Sequence, residues 1–205
     1  MRVLIIGYGS IGKKHAEILS EINRVKEIFI LTKQTFPKKF YKCKSYKDII
    51  NIDPDYIIIS SVTTNHYKDL KFINENLKNK VIVVEKPLFE KNYIFKNKRN
   101  FIYVGYNLRF HPVLKKIKSI VSNRKIYSVN AECFSNLINW RKDRDYKKTS
   151  SAKKSSGGGV ILDLSHEFDY ISWIFEKELK PTFKIFDKLS DLKIETEDFL
   201  ILNAK

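Results

Sequence analysis

Short unbroken apolar runs alternate in the first half of the chain with stretches that are apolar at every third or fourth position. The runs are rich in Ile and Val, which is typical of strands buried on both faces of a parallel sheet. The periodic stretches are typical of amphipathic helices. The pattern predicts strands at 2–6, 27–32, 56–60, 81–84 and 101–104. It predicts helices at 11–23, at 47–50 and from Asn65, as its cap, to about residue 77.

Strands separated by helices at this spacing favour an α/β fold with a doubly wound parallel sheet. We expect this domain to span residues 1–107, and a partial α+β domain to span 108–205. In the second part, the pattern predicts strands at 126–134, 182–189 and 193–203. It also predicts a helix with an apolar face after the glycines at 157–159.

Composition narrows the class of protein. With 205 residues, 43% of them hydrophobic, the chain can bury a real core. Two cysteines, Cys43 and Cys133, are too few for a disulfide framework or a four-cysteine zinc site, and we expect no metal. No apolar run approaches the roughly 18 residues of a membrane span. We therefore expect a soluble, cytoplasmic protein without a membrane partner.

Charge is the most conspicuous number, because 39 Lys and Arg against 23 Asp and Glu give a net charge of +16. One interpretation is a compositional bias that places Lys at ordinary surface positions. The other is an electrostatic footprint for nucleic acid. Lys outnumbers Arg by 32 to 7, whereas bidentate base contacts use Arg, and the charge is scattered along the chain. We favour the first interpretation and expect no nucleic-acid partner.

The seven glycines are grouped, at 7, 9 and 12, at 105, and at 157–159. The first group lies in Gly7-Tyr8-Gly9-Ser10-Ile11-Gly12, between the first predicted strand and the first helix. In this position the first glycine makes a tight turn, the second lets a pyrophosphate approach the backbone, and the third lets helix pack on strand. The pattern indicates a Rossmann-type dinucleotide site, with a simple glycine turn as the alternative.

The acidic residue that would bind the ribose of NAD, about 20 positions further on, is missing. No Asp or Glu lies between Glu27 and Asp48. The second strand ends instead in Thr32 and Lys33, a hydroxyl and a cation that suit a ribose 2′-phosphate. We expect NAD(P) as the cofactor, with a slight preference for NADP.

The segment Glu85-Lys86-Pro87-Leu88 follows a predicted parallel strand, at the sheet edge where ligands bind in open α/β folds. A lysine there can hydrogen-bond a substrate hydroxyl, and burial can lower its pKa toward the working range. The alternative is a surface lysine in a Lys-rich chain. Further motifs decide between these two interpretations.

The chain resembles the Gfo/Idh/MocA family of oxidoreductases, the glucose–fructose oxidoreductase and inositol dehydrogenase group. The resemblance covers essentially all 205 residues, in the right order and spacing. The matching segments are GYGSIG at 7–12, SSVTTNH at 60–66, EKPL at 85–88, GYNLRFHP at 105–112 and GGGVILDLSHEFDYISWIF at 157–175.

This resemblance implies a set of cofactor contacts. The turn that contains Gly7, Gly9 and Gly12 would hold the pyrophosphate. Thr63, Asn65 and His66 would lie beside the ribose groups. Glu85 and Lys86 would lie at the nicotinamide, and the Lys86–Pro87 peptide bond would be cis. His15 and His111 are read as structural.

The resemblance also implies substrate and catalytic residues. Lys86 would reach the sugar hydroxyl, and His166 would be the acid/base. Asp163, three residues earlier where many members have four, would share a helical face with His166 and orient it or the substrate. The alternative is that Asp163 caps the helix and His166 is an ordinary polar residue. Substrate contacts are expected from Asn107, Arg109, Trp140 and Arg141.

Two functions from the same family then stay open. The first is an NAD(P)-dependent oxidoreductase that transfers a hydride to or from a hydroxyl-bearing carbon of a sugar, inositol or nucleotide sugar. The second is a cofactor-binding but catalytically weak or inactive relative, because 98 residues after Asn107 are few for the family's second domain and lead us to expect a C-terminally truncated member. In either case the carboxy-terminal sheet could serve a homo-oligomer. A nucleic-acid binder is the third hypothesis and has no recognisable motif.

Overall fold

The computed structural model describes residues 1–97, 99–140 and 144–205. Contacts divide the chain into two compact units, Met1–Gly105 and Tyr106–Lys205. We call them the amino-terminal and the carboxy-terminal unit. The division lies two residues before the predicted boundary at residue 107.

The amino-terminal unit contains one sheet of six parallel strands in the order β3-β2-β1-β4-β5-β6. Its strands are β1 (Arg2–Ile6), β2 (Glu27–Leu31), β3 (Tyr41–Cys43), β4 (Tyr56–Ile59), β5 (Val81–Val84) and β6 (Phe101–Val104). Its helices are α1 (Ser10–Ser20), α2 (Tyr46–Ile52) and α3 (Thr63–Asn76). The strand order reverses between β1 and β4, which is the doubly wound arrangement and confirms the predicted fold class.

The sheet is buried on both faces because successive strand residues point to opposite sides. In β1, Leu4 and Ile6 pack into one core with residues of α2 and α3, such as Ile49 and Leu70. Val3 and Ile5 pack into a second core, with Ala16 and Leu19 of α1 among its members. This burial on both faces explains why the sequences of the central strands are unbroken apolar runs.

In this unit one strand was missed and one expectation is wrong. Strand β3 was not predicted, because it has three residues and two of them, Tyr41 and Lys42, are exposed. Helix α3 begins at Thr63 with Val62 as its N-cap, so Asn65 lies inside the first turn and does not cap the helix. A polar side chain near a helix start indicates a cap only when the backbone leaves the helical region at that residue.

The carboxy-terminal unit has helices α4 (Pro112–Val121), α5 (Val160–Asp163) and α6 (His166–Phe175). Its two strands, β7 (Pro181–Asp187) and β8 (Phe199–Ala204), form an antiparallel pair. Every residue of β7 is exposed. None of the helices in the described ranges has the length and apolar content of a membrane span.

Two expectations about the carboxy-terminal unit are also wrong. Residues 126–134 form no strand, and the side chains of Tyr127 and Phe134 are 85% and 86% exposed. A strand needs a neighbouring backbone to pair with, and none of the described residues pairs with this segment. The helix predicted to carry Asp163 and His166 on one face is two helices, since Leu164 has φ −101° and ψ 27°.

Candidate functional site

Five residues form a row along the carboxyl edge of the parallel sheet, each directly after the end of a strand. They are Thr32, Gly7, Ser60, Glu85 and Gly105. The last residues of the five strands are aligned by the sheet register, for example Ile6 with Leu31 and with Ile59. Ligands bind at this edge in doubly wound sheets, near the point where the strand order reverses. The row therefore marks the candidate site.

The row is held by backbone hydrogen bonds that continue the sheet by one step. The N–H of Gly7 donates to Leu31 O at 3.0 Å, and that of Ser60 donates to Ile6 O at 2.8 Å. The N–H of Glu85 donates to Ile59 O and that of Gly105 to Val84 O, both at 2.8 Å. The chain segments that leave the sheet here consequently start from fixed positions.

Two of the first three glycines are required by the protein's own packing. Gly7 has φ +92°, and a Cβ atom there would lie 2.6 Å from backbone atoms of Ser60 and Ser61. A Cβ atom at Gly12 would lie 2.2 Å from the carbonyl oxygen of Gly7. These contacts let α1 start immediately after β1, beside the end of β4.

Gly9 differs from its two neighbours, because a Cβ atom there would meet nothing within 4 Å. Gly9 is the N-cap of α1, and no side chain caps this helix end. Internal packing therefore gives no reason for a glycine, whereas a phosphate that approaches the first N–H groups of α1 does. The geometry of this turn fits the pyrophosphate of a dinucleotide.

The residues between these glycines differ in exposure. Tyr8 is 4% exposed and packs edge-on against Phe36, so its side chain belongs to the core. Ser10 and Ile11 are exposed in the first turn of α1. The buried Tyr8 side chain is therefore not available to a ligand at this turn, whereas Ser10 and Ile11 are accessible.

The start of α3 also lies beside the row, since β4 ends at Ile59. Its N-cap, Val62, makes no side-chain cap, in contrast to α2, whose N-cap Ser45 forms a reciprocal capping box with Asp48. Thr63 is half-buried and Asn65 is exposed. The two helices that begin nearest to the row thus leave their first N–H groups without a side-chain acceptor.

His66 occupies a different environment from Thr63 and Asn65. It is 1% exposed. Its Nδ1 lies 3.0 Å from the carbonyl oxygen of Pro87, and its Nε2 lies 3.1 Å from that of Ser61. The ring joins the segment after β4 to the segment after β5, and a direct contact of His66 with the cofactor stays a prediction.

Lys86 follows Glu85 at the carboxyl end of β5 and is half-buried. The Lys86–Pro87 bond is cis, as predicted. The Glu85 carboxylate lies against His15 of α1, with Oε1 2.6 Å from His15 Nε2. Sequence reasoning missed this partner of Glu85, because 70 residues separate the two and no local pattern links them.

Thr32 and Lys33 lie at the end of β2, in the same row as Gly7. The Thr32 hydroxyl accepts a hydrogen bond from the N–H of Gln34 at 3.1 Å, which shapes the turn after the strand. Lys33 is exposed. The structure therefore places both residues predicted to discriminate between NAD and NADP at the sheet edge that carries the glycine turn.

In the carboxy-terminal unit, Asp163 is the last residue of α5 and His166 is the first residue of α6. Both are half-buried. The His166 ring packs edge-on against Tyr106, with ring centroids 5.7 Å apart. Burial is the main cause that raises the pKa of the Tyr106 phenol above its ordinary value.

The residues predicted to bind substrate have different surroundings. Arg109 donates two hydrogen bonds to Asp169 of α6, from Nε at 2.9 Å and from an Nη at 2.5 Å, and this pairing raises the pKa of its guanidinium. Asn107 is exposed, and the Trp140 indole N–H donates to the Ser135 hydroxyl. Arg141 lies outside the described residues. Arg109 is thus engaged in holding α6.

No group of three or more His, Cys, Asp or Glu that could hold a metal ion occurs in the described part of the chain.

Comparisons with known proteins point to one family. Residues 1–93 match the Gfo/Idh/MocA family, described as an oxidoreductase family with an NAD-binding Rossmann fold. The chain is 32% identical over 197 residues to the oxidoreductase YrbE of Bacillus subtilis, covering 87% of this chain and 55% of that protein. It is 28% identical to myo-inositol 2-dehydrogenase of Thermotoga maritima, covering 95% of this chain and 60% of that protein. The chain therefore spans less than two thirds of the length of these curated relatives.

The fold agrees with a solved structure as well. The WlbA dehydrogenase of Bordetella pertussis, in complex with NADH and UDP-GlcNAcA, superposes with a TM-score of 0.74 at 17% sequence identity. The superposition covers 100% of this chain and 66% of that one. The matching residues 1–93 carry the NAD-binding Rossmann fold of the Gfo/Idh/MocA oxidoreductase family.

Proposed function

We propose that the chain transfers a hydride, with NAD(P) as cofactor, to or from a hydroxyl-bearing carbon of a sugar, inositol or nucleotide sugar. The observation that carries this proposal is the row at the carboxyl edge of the sheet. It brings the dinucleotide-type glycine turn and the segment that contains Lys86 to one edge, next to the point where the strand order reverses.

The cofactor-binding part rests on the residues around this edge. The turn at Gly7, Gly9 and Gly12, together with the first N–H groups of α1, would hold the pyrophosphate. Thr63 and Asn65, in the first turn of α3, would lie beside the ribose groups. When bound, the nicotinamide supplies or accepts the hydride.

Lys86 is proposed to act on the substrate hydroxyl. A lysine ammonium carries three N–H donors on a flexible stem. Such a donor stabilises the negative charge that develops on the hydroxyl oxygen when its proton leaves, and this stabilisation lowers the barrier in both directions. The half-buried position of Lys86 strengthens the interaction, since a charge acts more strongly where water is partly excluded.

His166 is proposed to hold the proton that the hydroxyl releases. Histidine has an unperturbed pKa of about 6.5, so it can accept a proton in one direction and return it in the other near neutral pH. Asp163 would orient His166 or the substrate. Asp163 ends α5 and His166 begins α6, so the break at Leu164 removes the helical face that the two residues were expected to share. The acid/base role proposed for His166 does not depend on that face.

The substrate class rests on the relatives. One of them is named for myo-inositol, and the WlbA structure contains a UDP-sugar. These ligands share neighbouring hydroxyl groups on a ring, and Asn107, which is exposed, has an amide that can donate to and accept from such groups.

The proposal is tested with Lys86→Ala. Turnover with myo-inositol, glucose and a UDP-sugar as separate substrates is measured beside the dissociation constant of NADH. We expect kcat/KM to fall about 10²–10⁴-fold, while NADH binding persists. Lys71→Ala, an exposed lysine of α3, is the matched control and should leave both quantities unchanged.

A second outcome would favour the alternative function. If the wild-type chain binds NADH but turns over none of these substrates, it is a cofactor-binding relative without this activity. The observation that keeps this alternative open is the exposure of every residue of β7, because a substrate domain built around a sheet normally covers one of its faces.

The finer proposal is a preference for NADP over NAD. It rests on the absence of Asp and Glu between Glu27 and Asp48 and on Thr32 and Lys33 at the end of β2. Thr32→Asp is expected to weaken NADPH binding and to strengthen NADH binding, since a carboxylate accepts from a ribose diol and repels a phosphate. A wild-type chain that binds NADH more tightly than NADPH would overturn this preference.

A further inference from the structure

Lys86 lies between two residues that are each held by a histidine from a different helix. His15 of α1 contacts the side chain of Glu85, and His66 of α3 contacts the carbonyl oxygen of Pro87. We propose that His15 and His66 are positioning residues, which fix the segment 85–87 from two sides and thereby set the orientation of Lys86. This inference deepens the proposed function and rests on it.

The contact on the first side restricts the Glu85 side chain. Its backbone is already fixed by the hydrogen bond from Glu85 N to Ile59 O, so the direction of the carboxylate is what remains to be set. His15 Nε2 lies 2.6 Å from one carboxylate oxygen. A Cβ atom at Gly105 would lie 3.3 Å from the other carboxylate oxygen of Glu85. Glycine at position 105 therefore avoids a tight contact with this carboxylate.

The contact on the second side belongs to a buried polar network. The carbonyl oxygen of Ser61 faces His66, and the Ser61 hydroxyl donates to Asp69 at 2.6 Å. The Tyr46 hydroxyl donates to the same carboxylate, which is 1% exposed. Polar groups in such a network have one favourable arrangement, because a buried group that loses its partner is costly. The network therefore fixes the His66 ring, and the ring fixes Pro87.

Neither histidine is placed to act on the substrate directly. A general acid or base must lie within hydrogen-bond reach of the proton that it moves. His66 is 1% exposed and has both ring nitrogens against backbone carbonyls, whereas Nε2 of His15 is directed at Glu85. Their influence on turnover must pass through the position of Lys86.

The first experiment compares His15→Ala with His15→Gln. The alanine variant removes the contact with Glu85, whereas the glutamine variant keeps an N–H donor at the distance of Nε2. We expect His15→Ala to lower kcat on the order of 10–100-fold, because displacement of a reacting group by about 1 Å has effects of that size. His15→Gln should recover most of this loss.

Two further readouts separate positioning from a general loss of structure. The KM for substrate, the NADH dissociation constant and the unfolding midpoint of His15→Ala should stay near the wild-type values, since the His15 side chain is 30% exposed and far from fully buried. Lys14→Ala, the exposed neighbour on α1, is the control and should leave kcat unchanged. An unchanged kcat in His15→Ala would overturn the inference.

The second experiment uses the two nitrogens of the His66 ring. Asparagine places its amide near the Nδ1 position and can keep the contact with Pro87, whereas glutamine places it near Nε2 and can keep the contact with Ser61. We expect His66→Asn to retain more kcat than His66→Gln, because the Pro87 contact is the one that adjoins Lys86. The reverse order would contradict the role assigned to His66.

A measurement that does not depend on catalytic activity can test this inference separately from the proposed function. Hydrogen exchange of the peptide that contains residues 85–90 is followed by mass spectrometry in the wild type and in His15→Ala. Faster exchange in the variant supports the positioning role even if no substrate is turned over. Equal exchange contradicts it, whatever the activity of the wild type.

Discussion

The two units of the chain use their apolar residues differently. In the amino-terminal unit, central residues such as Ile5, Ile57 and Ile82 are 0% exposed, and the sheet is covered on both faces. In the carboxy-terminal unit, the described hydrophobic residues that are buried are Ala152 and Ile174, while Phe183 and Ile185 of β7 are each 48% exposed. A similar supply of apolar residues thus produces a two-sided core in one unit and an open strand pair in the other.

The difference shows what a parallel sheet contributes. Each of its inner strands has a partner on both sides and a helical layer on both faces, so a short apolar run is sufficient to define the strand. An antiparallel pair has two edges and two faces to cover, and its sequence pattern does not define what covers them. The contrast predicts that stability is concentrated in the amino-terminal unit and that exposed apolar residues of the other unit contribute little.

The sharpest test of this contrast compares two isoleucines. Ile57→Ala in β4 should lower the free energy of unfolding by about 2–5 kcal/mol, because it leaves a cavity between β4 and its helices. Ile201→Ala in β8, which is 46% exposed, should cost about 0.5 kcal/mol or less. Urea unfolding followed by circular dichroism measures both. Equal losses would mean that the strand pair is as tightly covered as the parallel sheet.

The next largest effect is expected in the glycine turn. Gly7→Ala should destabilise the protein by roughly 1–3 kcal/mol, because φ is +92° and the new Cβ atom would lie 2.6 Å from backbone atoms. Gly9→Ala should cost about 1 kcal/mol or less, since nothing lies within 4 Å and only the weaker N-cap preference of alanine opposes it. It should weaken NADH binding on the order of tenfold, or about 1.4 kcal/mol. Unchanged NADH binding in Gly9→Ala would contradict the pyrophosphate assignment.

Buried polar groups should show the same contrast between the units. Tyr46→Phe removes a donor to the buried Asp69 and should cost roughly 1–3 kcal/mol. Ser190→Ala removes a donor to the partly exposed Asp198 and should cost about 1 kcal/mol or less. Denaturant unfolding at pH 7 compares them, and a larger loss for Ser190→Ala would reverse the contrast.

Tyr46 also predicts an alkaline loss of stability. Burial, and next the hydrogen bond and the charge of Asp69, raise its pKa above the ordinary value of about 10. The folded state therefore holds this proton more tightly than the unfolded state. The contribution is complete below about pH 10 and decreases as the pH rises through the folded-state pKa. Unfolding measured from pH 8 to pH 11 should show a weaker decline in Tyr46→Phe than in the wild type.

The smallest effect is expected at two helix caps. Ser45→Ala removes one half of the capping box of α2 and should cost about 1 kcal/mol. His111→Ala removes the side chain that accepts from Val113 N at 3.3 Å in the exposed start of α4, and we expect it to cost less. Thermal unfolding of the two variants measures the difference. A larger effect of His111→Ala would show that the carboxy-terminal unit depends on its helix ends more than on its apolar residues.

Much of the amino-terminal unit could be predicted because its signals are local. The runs at 81–84 and 101–104 became strands with those bounds, and the glycine turn lies directly after β1 as expected. Strand β3 could not be found, since its exposed Tyr41 and Lys42 give it no apolar run. In the carboxy-terminal unit, the pattern at 126–134 reads as a strand, but hydrogen bonding to a neighbour is not encoded in one segment alone.

By itself, the sequence determined the parallel sheet, the place of the turn at Gly7 and the position of Lys86 after β5, because each depends on residues that are adjacent in the chain. Only the tertiary structure decided that His15 contacts Glu85 and that His66 contacts the carbonyl oxygen of Pro87. The physical reason is distance along the chain. Periodicity reports which face of an element is apolar, whereas the partner of a polar side chain is set by elements that the fold brings together.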